Sequence, residues 1–429
     1  MSTLFPVSFQ LGDSTRIYSP DEQSQPANTV TWKRVLLNGH GKAIVRCCCK
    51  RDDTPRRLSI RYRADNDSFF LARFPETGHQ HDPDCGYYSP DPSASGLGSY
   101  RRGVVEELAD GKFKIKLKVG LQRRPVTATT SEPSTTESNT KAPGKAAMTL
   151  LGLLHFLWTV AGLERWSPAM VSKRNLGRVS YFLLQAAGEV KAGRLRLADS
   201  LLVATASAND KLVDWNAKCT RAAAQKDRRF IVIAPLARYR EDYETAPDRP
   251  PIMGFNGFPY LFLDSDLWLK TKARFDYAFT AWRSGQRVIA ILQCDVPAEQ
   301  QGDRYASEVH DIALMVVTQE WIPVDSSYEQ QVCAALVEQG RRFSKPLIFD
   351  SEEATFPDFW LQDVGADFPM EVWGLNTPEY LARKHEKSEF YTETYGPEGW
   401  WSWDAAASEP MPTLPASRQL PFNHSRMRE

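Results

Sequence analysis

The sequence predicts a multidomain α/β protein: a β-rich zinc-binding N-terminal domain, a helical and then α/β middle, and a C-terminal α/β domain. Three observations predict it. The apolar period switches along the chain between 2 and 3.6, the signatures of strand and helix. A Thr/Ser/Pro-rich stretch at 126–144 has no apolar periodicity and reads as a flexible linker. The length, 429 residues, accommodates two to four domains of about 100–200 residues. Hydrophobic residues make up 42% and charged residues 25%, which excludes a disordered, collagen-like or coiled-coil chain. No apolar run reaches the roughly 18 residues of a membrane span, so no membrane partner is expected. The start, MSTLFPVSFQLGDSTR, lacks the apolar core of a signal peptide, and the cytoplasm is the expected location.

The β-rich domain is expected over 1–125. Its chemistry lies in two clusters. Cys47-Cys48-Cys49 ends an apolar run, and His79-Gln80-His81-Asp82-Pro83-Asp84-Cys85 follows some thirty residues later. Seven cysteines, an odd number with three adjacent, point to metal rather than to disulfides. In a Cys-x-Cys on extended chain the two thiols share one side, since side chains alternate. Zinc needs four thiolate or imidazole ligands, and the expected set is Cys47, Cys49, His81 and Cys85, with His79 as the first substitute. Cys48 then points away. The zinc is expected to be structural, its binding supplying folding free energy.

Lysines alternate with Phe113, Ile115, Leu117 and Val119 over Lys112–Val119, the pattern of a half-buried strand. Lys114, Lys116 and Lys118 then form a row spaced about 7 Å apart, able to track a phosphate backbone. Arg123 and Arg124 extend it, and Lys173 and Arg174, near Trp166, are a second basic group expected at DNA. The linker occupies 126–145. A helical region, 146–225, opens with Leu150, Leu153, Leu154, Leu157, Trp158 and Ala161 at amphipathic helical spacing. The α/β middle, 226–322, carries the strand-like runs FIVIAP (230–235), YLFL (260–263), VIAILQ (288–293) and IALMVV (312–317), with one helix over Leu267–Trp282. Asp264-Ser265-Asp266 reads as a helix cap, Trp400, Trp401 and Trp403 as packing of the C-terminal segment, and Cys219, Cys294 and Cys333 as buried thiols.

The net charge of zero hides an asymmetry: +6 over 1–125, +5 over 146–225, −2 over 226–322 and −9 over 323–429. The acidic end, 323–410, holds an ordered set of groups. Glu329 lies in the first turn of a helix. Lys345-Pro346-Leu347-Ile348-Phe349 reads as a strand. Pro357-Asp358 sits at the mouth of a second strand, and Glu371 lies in a third, Pro369–Gly374. A helix over Glu379–Tyr391 then puts Tyr380, Lys384, Lys387 and Tyr391 on one face. Residues 411–429 are Pro-rich at their start and read as a frayed tail.

This order resembles the PD-(D/E)XK nuclease superfamily, the restriction-endonuclease-like fold, over about 70 residues in the last quarter of the chain. The resemblance implies a Mg²⁺- or Mn²⁺-dependent DNA endonuclease. The proline–acid pair falls on Pro357-Asp358, the second acid on Glu371 and the helix-borne acid on Glu329. Asp358 and Glu371 then hold magnesium. The family's lysine falls at position 373, where this chain has Trp373. Members that move the lysine to the following helix imply Lys387, or failing it Lys384. If neither reaches, the implied function is a non-catalytic DNA-binding or assembly protein with a decayed nuclease fold. The Cys cluster, the run Phe74 to Cys85 and the Leu-rich helix ending in Trp158 look like an uncharacterised bacterial family common on plasmids and integrative elements. The partners implied are DNA, a second copy of the chain, or a protein of a mobile-element system.

Overall fold

The N-terminal sheet opens with Val7–Leu11 (β1), in which Val7 and Phe9 face the core and Leu11, on the same face, lies exposed at the strand end. Ser14–Tyr18 (β2), helices Pro20–Ser24 (α1) and Thr29–Gly39 (α2), and strands Ile44–Cys47 (β3), Arg57–Arg63 (β4) and Ser68–Arg73 (β5) complete it. The sheet is antiparallel throughout, in the order β2-β1-β3-β4-β5. Leu36 of α2 packs with Val7, Phe9, Val45, Leu58 and Ile60. A Cβ on Gly39 would lie 2.6 Å from the Phe9 ring and 2.9 Å from Ile60, so glycine lets the helix end meet the sheet. The structure, a computed structural model, describes residues 4–50, 52, 54–63, 68–74, 77–82, 84–88, 103–108, 112–123, 147–245, 247–300, 304–347, 356–364 and 368–417. The linker expected over 126–145 and Arg124 lie outside the described residues.

A short mixed sheet follows. Val105–Glu107 (β6) and Phe113–Ile115 (β7) are its first strands, then come Leu150–Val160 (α3), Arg165–Trp166 (β8) and Leu176–Gly188 (α4), and Val190–Ala192 (β9) and Leu195–Arg196 (β10) complete it. β7 runs parallel to β9, pairing Phe113 with Val190. Phe113, Ile115 and Leu121 share a core with Leu153, Phe156 and Trp158 of α3. Val104, Phe113, Ile115 and Leu121, which lie before the boundary expected at 125, thus pack in a core shared with residues that follow it. The expected strand over 112–119 is shorter, Phe113–Ile115, although its alternation holds.

The central sheet takes Leu201–Val203 (β11), then, after helix Lys211–Gln225 (α5), Phe230–Pro235 (β12), Tyr260–Phe262 (β13), and, after Ser265–Arg274 (α6) and Asp276–Arg283 (α7), Arg287–Cys294 (β14), Ala298–Glu299 (β15) and Tyr305–Val317 (β16). Its order is β11-β12-β14-β16-β13, with β15 on β16. Every residue of β12 is buried, since helices cover both faces. One face (Ile231, Ile233, Ile289, Ile291) meets α3, and the other (Val232, Val288, Leu292) meets Trp268 of α6 and Phe279 and Trp282 of α7. The helical region and the α/β middle are thus one layered unit, joined through the parallel pair β11–β12. The helix expected over 267–282 is two helices, because Phe275 (φ −118°, ψ 43°) leaves the helical range and turns α7 to bury its own aromatics.

The last sheet has the order β20-β19-β18-β17-β8. Helix Ser327–Glu338 (α8) precedes an antiparallel run of Phe343–Ser344 (β17), Phe359–Leu361 (β18) and Phe368–Trp373 (β19). Helix Pro378–Tyr395 (α9) then crosses to Trp401–Asp404 (β20), parallel to β19. The edge strand β8 comes from the helical region. Residues 411–417 are packed rather than frayed: Leu414 is buried, the Trp401 indole donates to Thr413 O (3.2 Å), and Arg341 donates to Pro415 O (2.6 Å). Asp264 caps α6, and Cys219, Cys294 and Cys333 are buried, as expected. Among the described residues no helix is long and apolar enough to cross a membrane.

Candidate active site and metal cluster

The Cys/His cluster forms where β3 ends. Val45 and Cys47 face the core, and the chain turns so that Cys49 faces the same way while Cys48 is exposed. The segment after β5 brings His81 and Cys85 across. Sγ of Cys47 and Cys85 are 3.6 Å apart, and His81 Nδ1 is 3.6 Å from both Cys49 Sγ and Cys85 Sγ. All four ligand atoms lie within 4.8 Å of one another, a group that can hold a metal ion such as zinc. The N–H of Asp82 donates to Cys49 Sγ (3.3 Å) and that of Tyr87 to Cys85 Sγ (3.5 Å), contacts that favour thiolates. The cluster is the expected set. His79 is exposed and outside it. Arg342 donates to Asp84 (2.6 Å) and Arg165 lies over Tyr88, so the ligand loop is docked on the C-terminal body.

The acids of the last sheet converge on a second place. Ser326 caps α8, accepting from the Glu329 N–H (3.1 Å), which fixes Glu329 in the first turn. Glu329 Oε2 accepts from the Asp325 N–H (2.9 Å). Asp358 stands just before β18 and accepts from the Val372 N–H (2.7 Å), which ties it to β19. Glu371 projects from β19, two residues before Trp373 and on the same face. The three carboxylates line one cavity of about 470 Å³ with Tyr277, Tyr380 and Lys387.

Two lysines organise these acids. Lys345, 4% exposed, lies 3.1 Å from Glu329, 3.3 Å from Asp325 and 3.9 Å from Asp358. Lys387, from α9, donates to Glu371 Oε1 and to Phe356 O, both at 2.9 Å. The Tyr391 hydroxyl donates to the same Glu371 oxygen at 2.7 Å. Burial pushes Glu329 up to about 8 against the pull of Lys345. Burial, and then the charge of Asp358, pushes Glu371 up to about 7. Burial alone would lower Lys345, but the carboxylates around it outweigh that and hold it above its ordinary range. The acids are thus held between Lys345 and Lys387, with Asp358 the most open of the three carboxylates.

A family model for proteins of unknown function, DUF1173, matches residues 18–406. The chain belongs to DUF1173. The match takes in both the Cys/His cluster and the carboxylate cavity. No curated protein matches the chain.

Of the two lysines expected on the helix of this DUF1173 chain, Lys387 reaches Glu371. Lys384 does not: its ammonium pairs with Asp404 of β20 at the cavity rim, one turn away from the acids. Both lie about 6 Å from the Trp373 ring centre, at 5.8 and 6.0 Å, so Trp373 carries cations rather than replacing one. Sequence reasoning missed Lys345 and Asp325 as part of the site. The one available signal was a lysine opening an apolar segment between two acids.

The residues expected at DNA divide. Lys114, Lys116 and Lys118 are all exposed on one face, with Glu106 3.5 Å from Lys114. Lys191 of β9 stands beside Lys114 and extends the row across the sheet. Arg123 is exposed, 4.0 Å from Asp227, and Lys173 is exposed. Arg174 is corrected: it turns inward, stacks on Trp166 and donates to the carbonyls of Leu163 (2.9 Å), Glu320 (3.2 Å) and Arg165. Its guanidinium ties segments together and is not offered to phosphate.

Proposed function

We propose that the chain is a metal-dependent DNA endonuclease of the restriction-endonuclease-like type, acting in the cytoplasm, in a bacterial mobile element or defence system. The observation that carries this reading is the convergence of Glu329, Asp358 and Glu371, from a helix and two strands, on one cavity where Lys387 meets Glu371. The surrounding order supports it: a helix, a three-strand antiparallel run, a second helix and a strand parallel to the third.

The donor set fits a hard cation. Three carboxylates converging on one cavity are oxygen ligands of the kind magnesium and manganese take. Asp358 and Glu371 would hold the ion, with Glu329 beside them. When bound, it lowers the pKa of a water and stabilises charge on the phosphate under attack. The chain's own residues do the rest. Lys387 presents a cation beside Glu371, where charge grows on the non-bridging phosphate oxygens. Tyr391 and Lys387 orient Glu371. Lys345 holds Glu329 and Asp358 in register and keeps their mutual repulsion low. The basic face of Lys114, Lys116 and Lys118 supplies salt-dependent contacts to the backbone of DNA.

The Cys/His cluster is read as a structural zinc site. Tetrahedral zinc with ligands at 2.0–2.3 Å separates its ligand atoms by about 3.3–3.8 Å, the range of the 3.6 Å contacts here. All four ligand positions are filled by the protein, which leaves none for substrate.

Lys387→Ala is expected to lower the rate of metal-dependent cleavage about 10²–10³-fold, the usual cost of one preorganised charge. Lys384→Ala is expected to cost less than about tenfold, since its partner is Asp404. Initial rates of nicking of circular DNA check both. Equal losses in the two variants would contradict the assignment of Lys387. Manganese titration adds an independent readout: the wild type is expected to bind and Asp358→Ala to lose that binding.

A further inference from the structure

The middle of the chain holds a groove that the carboxylate site does not use. Two hollows, of about 390 and 400 Å³, share Arg249, Phe255, Phe258, Pro259 and Tyr260 and so run into one another. Phe255 stands at the junction with 62% of its surface exposed. An exposed phenylalanine ordinarily sits on a loop free to fold it away. Here the loop is clamped. A Cβ on Gly254 (φ +70°) would lie 2.7 Å from Thr205 O, and one on Gly257 (φ +78°) 2.4 Å from Val213 O, so only glycine permits this approach. The Thr205 N–H donates to Gly254 O (2.8 Å), Asn216 Nδ2 to Asn256 O (3.2 Å), and Asn256 Nδ2 to Thr205 Oγ1 (2.9 Å). Asn216 itself is fully buried and also holds both backbone groups of Val203 on β11. The ring is presented rigidly, so little freedom is lost when a partner stacks on it.

Beside prolines and Ile252, the groove carries cations and aromatic rings. The Arg249 guanidinium lies 3.6 Å from the centre of the Tyr260 ring, and Arg221 and Arg304 line the second hollow with Tyr305. Among the described residues no carboxylate is ion-paired with any of the three arginines, and Asp248 is the one acid along the groove. Aromatic faces beside guanidiniums that no described carboxylate pairs match a chain of bases and phosphates whose bases are free to stack. A duplex stacks its base faces on one another, so a protruding ring reaches them only by unstacking a step.

We propose that this groove binds single-stranded nucleic acid, one base stacking on Phe255 and the neighbouring phosphates lying on Arg249, Arg221 and Arg304. The proposal is independent of the cleavage reading and adds a substrate class to it: DNA carrying a single-stranded stretch.

The test is fluorescence anisotropy of a labelled oligothymidylate with the full chain in EDTA, where no metal-dependent step contributes. Phe255→Ala is expected to weaken binding about tenfold, within the range for loss of one stacked base. The double variant Arg249→Ala/Arg304→Ala is expected to weaken it further and to flatten the log–log salt slope by about 0.7 per arginine that meets a phosphate. Leu269→Ala, on the exposed face of α6 outside the groove, is expected to bind as wild type, and thermal melts verify that all variants fold. Asp358→Ala is expected to keep wild-type binding, so loss of cleavage and loss of strand binding are read separately. Absence of binding by the wild type, or unchanged binding in Phe255→Ala, would overturn the proposal. So would competition by thymidine monophosphate as effective, per nucleotide, as the oligonucleotide, since that marks a mononucleotide site.

Discussion

Cys85→Ser is expected to release the metal from the N-terminal cluster and to unfold the sheet that it closes. The apolar core of this sheet is small, centred on Val7, Phe9, Leu36, Val45, Leu58 and Ile60, and three of its nine buried members are the cluster cysteines themselves. A sheet of this size gains little from burial alone, whereas a structural zinc supplies about 10–16 kcal/mol of apparent binding free energy that is available only to the folded form. Within the cluster, hydrogen bonds from neighbouring sulfurs hold the Cys49 thiol below its ordinary range, and the same contacts push Cys47 above it. Three thiols crowded this closely cannot all ionise without a cation. Elemental analysis is expected to give one zinc per wild-type chain and none in Cys85→Ser. Limited proteolysis is expected to cut the variant within 4–88 and to spare the central sheet. Zinc-free wild-type protein, purified without chelator and equally resistant to protease, would contradict this. Cys48→Ser serves as the control, because that side chain points to solvent.

Lys345→Met is expected to lower stability by about 3–5 kcal/mol at pH 9, the usual cost of stranding a buried carboxylate, here Glu329, by removing its partner. Lys345 is the shared cation of Glu329, Asp325 and Asp358, and methionine keeps its length without its charge. The pH dependence follows from Glu329. Its folded pKa is already raised, to about 8, above the ordinary carboxyl value, so the neutral form is favoured in the fold. Stability from such a group is fully present below the unfolded pKa and is lost as pH rises through the folded one. Removing Lys345 raises the folded pKa further. The Glu329 part of the difference between variant and wild type is therefore expected to be small at pH 6, where Glu329 is protonated in both, and to grow as pH rises through and above about 8, so that it is larger at pH 9. Urea denaturation at the two pH values measures it. A deficit independent of pH would mean that Lys345 acts through Asp325 and packing rather than through Glu329.

The parts of the site that are local in sequence were legible. Cys47 and Cys49 share a side because of strand alternation, and His81 and Cys85 follow from the turn around Asp82. Glu329, Asp358 and Glu371 occupy the elements expected of them, and Lys387 is reached by helical spacing from Tyr380 and Tyr391. What depends on distant pairing was not legible. Lys345 gains its role because the chain just past β17 brings it against Glu329 in the first turn of α8. The first 125 residues look like one unit until β7 is seen paired with β9, because a three-residue strand such as Phe113–Ile115 does not specify its neighbour. Arg174 reads as a surface cation, and only the meeting of Leu163, Arg165 and Glu320 carbonyls shows it as a clamp. Alternation locates a face; it does not say what covers it.

The most direct test of the central claim is cleavage itself. Purified protein is incubated with circular duplex, linear duplex and single-stranded DNA in Mg²⁺ or Mn²⁺, beside Asp358→Ala and an EDTA control. The account predicts metal-dependent cutting that falls by at least about 10³-fold in the variant, since Asp358 would hold the ion that carries the chemistry. Cutting by Asp358→Ala at the wild-type rate would contradict it, as would a wild type that binds manganese and DNA yet leaves every substrate intact.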